Sequence, residues 1–540
     1  MKLVSVSQMH EIEKEANSRG LSYEKMIQNA GEGLAKIIFD EFKDDVHMLY
    51  AVGLVGSGKN GGDTLVALAA LIEAGWTASV YFLGARPADD PLVKKLVDRN
   101  IQLVQSDQDP QYEVLDELIS QADVLLDGIL GTGFTLPLRP EIAAALGHIS
   151  AMDALPAVVA VDCPSGVDCD SGECAPEAIP ADFTVCMAAV KQGLLRFPAF
   201  EKVGRLETVD IGLADDLPAW NQVQYRVISQ DIAAAALPPR PMTAHKGTFG
   251  TALIVAGSIN YTGAAYLAAK AACRIGTGLV RLAVPGPLHM ALAGHLPEVT
   301  WLILPHELGV ISEAAADVLM KNLDKADAML LGPGFGLEMT TGAFMKRILV
   351  GKIMKSARGP IGFLSNPETT TGDNDSKSKL PALVIDADGL KLLASIPDWP
   401  KRLPENSILT PHPGEMAVLT GLKVEEIQAN RLDTAVRFAE EWGHVVVLKG
   451  ALTVIAVPGQ GASVVPVATA ALAHAGTGDV LSGIITGLLA QGVAPAAAAE
   501  TGAWIHAQAG LEAEALLETS ASVLASDVLE SIPTILHFLS

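Results

Sequence analysis

Two groups of residues have the types and spacing that chemistry needs. The first opens with Gly56-Ser57-Gly58-Lys59-Asn60-Gly61-Gly62-Asp63, behind the apolar run Leu49–Leu54. Glycines there let the backbone turn with positive φ and present successive N–H groups to an anion at a helix N-terminus. The run is neither GxGxxG nor a P-loop, because Lys59 precedes the glycine pair and no GK[ST] follows; alone it fits a structural turn equally well. Two further apolar runs, Val124–Leu130 and Val158–Val161, lead into acids. Asp127 is followed by Gly128 and Gly131-Thr132-Gly133, and Asp162 by Pro164-Ser165-Gly166-Val167-Asp168. Loops at the carboxyl ends of strands in an open α/β sheet converge on one crevice, so the three loops belong together. Carboxylates with Asn60 and a serine hydroxyl are hard oxygen donors suited to a cation. Lys191, in Lys191-Gln192-Gly193 after the run Phe183–Met187, either faces the same cleft or serves as a surface lysine.

The second group lies near the end of the chain. Ala475-Gly476-Thr477-Gly478-Asp479 opens a long apolar helix, where N–H groups and the helix dipole stabilise a developing phosphoryl or oxyanion charge. Asp479 can accept a proton from a substrate hydroxyl, or it can be a plain N-cap. Between Gly450 and Glu500 it is the sole formal charge, and an acid kept in so apolar a stretch is costly unless it is used. Leu409–Glu415 sets His412 between two prolines, catalytic or structural with even weight. Val447–Thr453 puts Lys449 and Gly450 at a strand end, Gly332–Gly336 offers another close-approach backbone, and Val384–Leu390 ends a strand with two acids.

Positioning these residues requires strands that alternate with helices. Leu49–Leu54, Ser79–Leu83, Val124–Leu130, Val158–Val161 and Phe183–Met187 read as buried strands, with helices between them at Thr64–Glu73 and Glu113–Ser120. The rhythm implies a mostly parallel sheet covered on both faces. It breaks at Ala214–Pro218 and Leu237–Pro241, and restarts at Thr248 with strands Ala252–Ala256, Leu279–Val284, Asp327–Leu331, Leu383–Ile385 and Val445–Leu448 and helices Ala264–Ile275 and Asp479–Leu489. Two α/β domains are expected, 1–217 and 223–540, the second interrupted by a polar insertion at 365–379.

The chain has 540 residues, enough to bury its cores without metals or disulfides. Its net charge of −24 argues against a nucleic-acid partner or an anionic membrane surface, though not against small phosphorylated ligands. Five cysteines without a CxxC pair read as reduced cytosolic thiols, and the charged N-terminus argues against export, which together give a cytoplasmic expectation. Val480–Ala499 is charge-free, but Gln491, Pro495 and its Ala/Gly content favour a buried helix followed by a second one over a membrane span.

GSGKNGGD, DGILGTG, VDCPSGVD and KQG resemble the epimerase domain of NAD(P)H-hydrate repair enzymes over about residues 1–215. The resemblance implies a Rossmann-like domain interconverting the R and S epimers of hydrated NAD(P)H, here written NAD(P)HX. It assigns a potassium ion to Asn60, Asp127 and Ser165. It assigns the dinucleotide to Asn60, Gly61, Gly62, Asp63, the loop Gly131, Thr132, Gly133, Phe134, Thr135, Leu136 and Pro137, and Asp162. Asp162 would be the acid/base residue, with Lys191 beside it in the catalytic set. Thr64 departs from the family, which usually carries glycine there. AHKGTFG, GSINYTGA, GTGLV, GPGFG, DADGL, LTPHPGE, VLKGALT and AGTGD resemble the ADP-dependent NAD(P)HX dehydratase domain of the same enzymes, from about Val223 to Ser540 outside 365–379. That implies a ribokinase-like domain with ADP at Lys449, Gly450, Ala451, Leu452, Thr453 and Gly478. S-NAD(P)HX would lie at Ala264, Gly334, His412 and Asp479, with Asp479 as base and Mg2+ as a further candidate cation. The expectation is a bifunctional metabolite-repair enzyme, homo-oligomeric, acting on NAD(P)HX and ADP with no nucleic-acid or membrane partner. The alternative is a ribokinase-like kinase of a vitamin precursor with an N-terminal dinucleotide-binding module.

Overall fold

A computed structural model of the chain describes residues 1–350 and 380–540 apart from Val46, Ala88 and Asn100, so the insertion expected at 365–379 lies outside the described residues. The chain divides into two compact units, Met1–Val227 and Ile228–Ser540. Residues 225–227 stay with the first because the Val227 N–H donates to the Met1 carbonyl at 2.8 Å and Lys2 bridges Arg226.

In the first unit the main sheet runs Gln102–Gln105, Thr77–Phe82, Tyr50–Val55, Val124–Gly128, Ala157–Val161, Phe183–Met187, Arg205–Val209, with every pairing parallel. The period-2 alternation is visible in Val124–Gly128: Val124 and Leu126 enter one core, with Val55, Val80 and Val161, while Leu125 enters the opposite one with Val52, Leu54 and Val158. Successive strands first move one way from Tyr50–Val55 and then restart on its other side at Val124–Gly128. That reversal opens a crevice at the carboxyl ends of these two strands.

In the second unit the sheet order is Gly461–Val464, Val454–Val457, Val445–Leu448, Ile408–Leu409, Ala382–Ile385, Ala328–Leu331, Thr251–Val255, Leu279–Pro285, Thr300–Leu304. It is parallel except that Val454–Val457 runs antiparallel to both neighbours. The sheet is thus mostly parallel, as expected; at this edge the short connection 458–460 permits a hairpin and leaves no room for a crossover helix. The reversal of strand order falls between Thr251–Val255 and Ala328–Leu331. The apolar stretch after Asp479 forms two helices, Thr477–Ala490 and Pro495–Leu517, and among the described residues no helix is long and apolar enough to cross a membrane.

Candidate active sites

The glycine segment of the first unit is more helical than its composition suggests. Gly56 makes the tight exit from its strand, since a Cβ there would lie 1.9 Å from the Ile129 carbonyl oxygen. The helix then begins at Lys59, not Thr64, with Gly58 as N-cap, so Asn60–Asp63 form its first turn. The glycines serve close approach: a Cβ on Gly61 would meet the Gly56 carbonyl at 2.2 Å. Helix Tyr23–Glu41 packs on this turn at Gly31, whose Cβ would fall 2.7 Å from the Asp63 carbonyl. Arg86 braces the turn by donating to the carbonyls of Gly56 at 2.9 Å and Gly58 at 3.2 Å. Neither Gly31 nor Arg86 carries a local sequence signal.

Asn60, Asp127 and Ser165 come together as one buried cluster. The fully buried Asp127 carboxylate accepts from the Ser165 N–H at 2.7 Å and from the Ser165 hydroxyl. The Ser165 Oγ accepts from the Leu130 N–H at 2.9 Å, and Asn60 Nδ2 donates to the Leu130 and Val161 carbonyls. Among the described residues no Lys, Arg or His pairs with Asp127, and burial pushes its carboxyl above the ordinary carboxylate range. Thr64 donates to the Asn60 carbonyl at 2.9 Å and packs so closely on the strand that a Cβ on Gly128 would sit 1.8 Å from its hydroxyl.

Asp162 ends its strand at φ +65°, and the Cys163 N–H folds back to the Val161 carbonyl at 2.8 Å. Its carboxylate accepts from the Met187 N–H at 2.9 Å and pairs with Lys191. Lys191 is 1% exposed and also reaches the Met187 carbonyl at 3.3 Å, so it is not a surface lysine. Burial alone would pull its ammonium down, yet Asp162, with Cys186 and Cys169 beside it, holds it above its ordinary value. Asp63 is buried nearby. Burial first, then the Asp162 and Glu13 charges, push it well above the usual carboxylate range. Of the 131–137 loop, Gly131 abuts the Asn60 side chain, while Gly133, Thr135 and Pro137 face solvent.

The second unit arranges its residues in two places. At the strand-order reversal, the Gly257 N–H donates to the Pro333 carbonyl at 2.7 Å, and a Cβ on Gly334 (φ +64°) would lie 2.9 Å from the Ala264 Cβ. Ala264 and Gly334 are thus neighbours. Along the sheet, a cavity of about 360 Å³ is lined by Lys449, Gly450, Ala451, Thr453, Gly478 and His412 together with the apolar Val465, Val467, Leu472, Leu481, Ala503 and Ala507. Leu452, between Ala451 and Thr453, is buried at φ +56°. A more open depression of about 560 Å³ beside Trp399 and Trp442 holds none of the expected site residues.

Lys449 is clamped by buried acids, 2.6 Å from Asp386 Oδ1 and 3.6 Å from Glu415 Oε2. Its Nζ lies 3.4 Å from where a Gly478 Cβ would be, which brings the ammonium against the Gly-Thr-Gly-Asp turn. His412 is held by helix capping rather than by its prolines. Its Nδ1 accepts from the Gly414 and Glu415 N–H groups at 3.0 and 3.3 Å, and Glu415 accepts from the His412 N–H at 2.9 Å. Asp479 is no N-cap: that position belongs to Gly476 at φ +95°, and Asp479 is the third residue of its helix. Burial, then the nearby Asp386, push its carboxyl up to about 7.

A family model described as NAD(P)H-hydrate dehydratase matches residues 252–354 and 361–534, and one described as YjeF-related protein N-terminus matches residues 23–193. The chain is 34% identical to the bifunctional NAD(P)H-hydrate repair enzyme Nnr of Moorella thermoacetica, over 99% of this chain and 97% of that protein. The chain belongs to the bifunctional NAD(P)H-hydrate repair enzyme family. The Escherichia coli member is 31% identical over 97% of this chain and 91% of its own length. An ADP/ATP-dependent NAD(P)H-hydrate dehydratase from Bacillus subtilis, co-crystallised with ATP/Mg2+, is 27% identical with a TM-score of 0.47, covering 58% of this chain and 99% of that one. Within this family the α/β class, Rossmann-like before ribokinase-like, is as expected from the sequence.

Proposed function

We propose that the chain repairs hydrated NADH and NADPH with two sites, one in each unit. In the first, Asp162 takes the hydroxyl proton of NAD(P)HX as the ring C–N bond at the hydroxyl-bearing carbon opens to an aldehyde, and returns it as the nitrogen re-closes on the other face, which exchanges R and S. Lys191 pairs with that carboxylate and aims it, and the first turn of helix Lys59–Glu73 with the 131–137 loop receives the dinucleotide. Asn60, Asp127 and Ser165 would hold a potassium ion, which supplies the positive charge that the buried Asp127 otherwise lacks. In the second, the cavity takes ADP, its apolar side chains seating the base and Lys449, Gly450 and Gly478 facing the phosphates. S-NAD(P)HX lies beside it at Ala264, Gly334, His412 and Asp479. Asp479 removes the proton of the hydrate's hydroxyl as that oxygen takes the terminal phosphoryl group of ADP, giving AMP. Phosphate then leaves with a neighbouring ring proton, restoring the dihydronicotinamide. Mg2+ would enter as the counter-ion of the nucleotide's phosphates.

The observation that carries this reading is that one chain is similar, over nearly its whole length, to proteins named for both repair steps. The test is purified protein with R-NADHX, S-NADHX and ADP. Asp162→Asn should still consume the S epimer but leave the R epimer, apart from its spontaneous conversion, and Asp479→Asn should consume neither. A wild-type protein that phosphorylates a vitamin precursor alcohol but leaves both epimers untouched would establish the kinase alternative. The reading also places the enzyme in the cytoplasm as a homo-oligomer.

A further inference from the structure

The loop Lys449–Thr453 leaves strand Val445–Leu448 and lines the cavity through Lys449, Gly450, Ala451 and Thr453. In a planar trans peptide the carbonyl and the N–H that follows point in opposite directions, so fixing one fixes the other. Arg431, the first residue of helix Arg431–Trp442, reaches behind this loop. Its Nη2 donates to the carbonyls of Leu448 at 2.9 Å and Lys449 at 3.2 Å, and its Nη1 to Gln428 Oε1 at 2.7 Å. The Gly450 carbonyl in turn accepts from the Thr453 hydroxyl at 2.8 Å. The Lys449 and Gly450 carbonyls are therefore both taken. The N–H groups of Gly450 and Ala451, each opposed to one of these carbonyls, have no partner among the described residues, and both residues lie on the cavity wall. Consecutive free N–H groups of this kind form an anion-binding concavity.

Two more features single out Arg431. Gly450 stands at φ +140°, and a Cβ there would come within 3.1 Å of both Nη atoms, so the guanidinium occupies the space a side chain would need. No carboxylate pairs with Arg431 among the described residues, and its Nε is buried without a hydrogen-bond partner. Burial pulls the guanidinium down only to about 10, so it stays charged at neutral pH. A half-buried cation whose partners are all neutral carbonyls leaves positive potential directly behind the loop.

We propose that Arg431 is the positioning residue that fixes the Lys449–Gly450 peptide with its N–H facing the cavity, so that the Gly450–Ala451 backbone receives the diphosphate of the bound nucleotide. This rests on the cavity being the ADP site. Nothing in the loop's own sequence forces that orientation, because glycine accepts either one.

The test compares the affinities of ADP and adenosine, measured by calorimetry on the full chain, for the wild type, Arg431→Met and Arg431→Lys. Arg431→Met should weaken ADP about ten-fold, the scale of one lost charge-assisted hydrogen-bond arrangement, and leave adenosine within about two-fold. Arg431→Lys should recover part of the loss, since both carbonyls accept from a single nitrogen. A role confined to general packing would weaken both ligands alike. Equal losses, or an unchanged ADP affinity in Arg431→Met, overturn the proposal. Should Arg431→Met fail to fold, the same ADP-to-adenosine comparison on Arg431→Gln decides. A wild type that binds no ADP would overturn the nucleotide reading of the cavity itself, separately from the role of Arg431.

Discussion

Asp162 and Asp479 stand in opposite electrostatic settings. Asp162 is paired with a buried lysine, whereas Asp479 is raised to about 7 by burial first and by neighbouring acids second. A base must be ionised to accept a proton, so the dehydration rate should rise with pH through about 7 and level off above it, read as kcat/KM for S-NADHX. In the first unit, Asp162→Asn should slow epimerisation by at least about 100-fold, the lower range for a proton-transfer residue. It should also destabilise that unit by about 3–5 kcal/mol, because the Lys191 ammonium is left buried without a counter-charge. Calorimetric melting of the variant would show the loss. Asp162→Asn/Lys191→Met should regain much of that stability without regaining activity, which separates the two roles of the pair.

Elements place these residues through contacts that span long stretches of sequence. The strand ends bearing Asp127, Asp162 and Lys449 were legible because each is an apolar run that stops at a charged residue, with a glycine directly after it at Asp127 and Lys449 and a proline two residues on at Asp162. The start of the helix at Lys59 was not. A glycine pair has poor helix propensity, and what overrides it is burial beneath Gly31, some thirty residues earlier. The hairpin Val454–Val457 to Gly461–Val464 was read past, since direction of pairing leaves little trace in a short apolar run. Arg86 and Arg431 were invisible for a related reason: each braces a glycine loop from behind, and its partners are backbone carbonyls that leave no mark on composition. Helix-to-strand contact gives its own prediction. Gly128→Ala should cost about 1–3 kcal/mol, because the new methyl collides with the Thr64 hydroxyl. Thr64→Gly, the residue usual in the family, should remove most of that penalty in the double variant, and denaturant melts of the four proteins would measure the coupling.

At the scale of the whole molecule, the proposed function requires a chain of net charge −24 to handle phosphate-bearing ligands, and local arrangements of N–H groups, a few lysines and bound cations would do so. Potassium is one such cation in this account. Exchanging NaCl for KCl at constant ionic strength should raise the Tm of the first unit by ligand linkage, and Asp127→Asn should abolish the rise. The central claim is that one chain performs both repair steps in sequence. It is tested most directly by adding the protein and ADP to R-NADHX and following the near-ultraviolet absorbance of NADH alongside released phosphate. The account expects absorbance and phosphate to recover together, mole for mole, and faster than the S epimer forms spontaneously. No recovery from either epimer, with ADP or ATP, would contradict it.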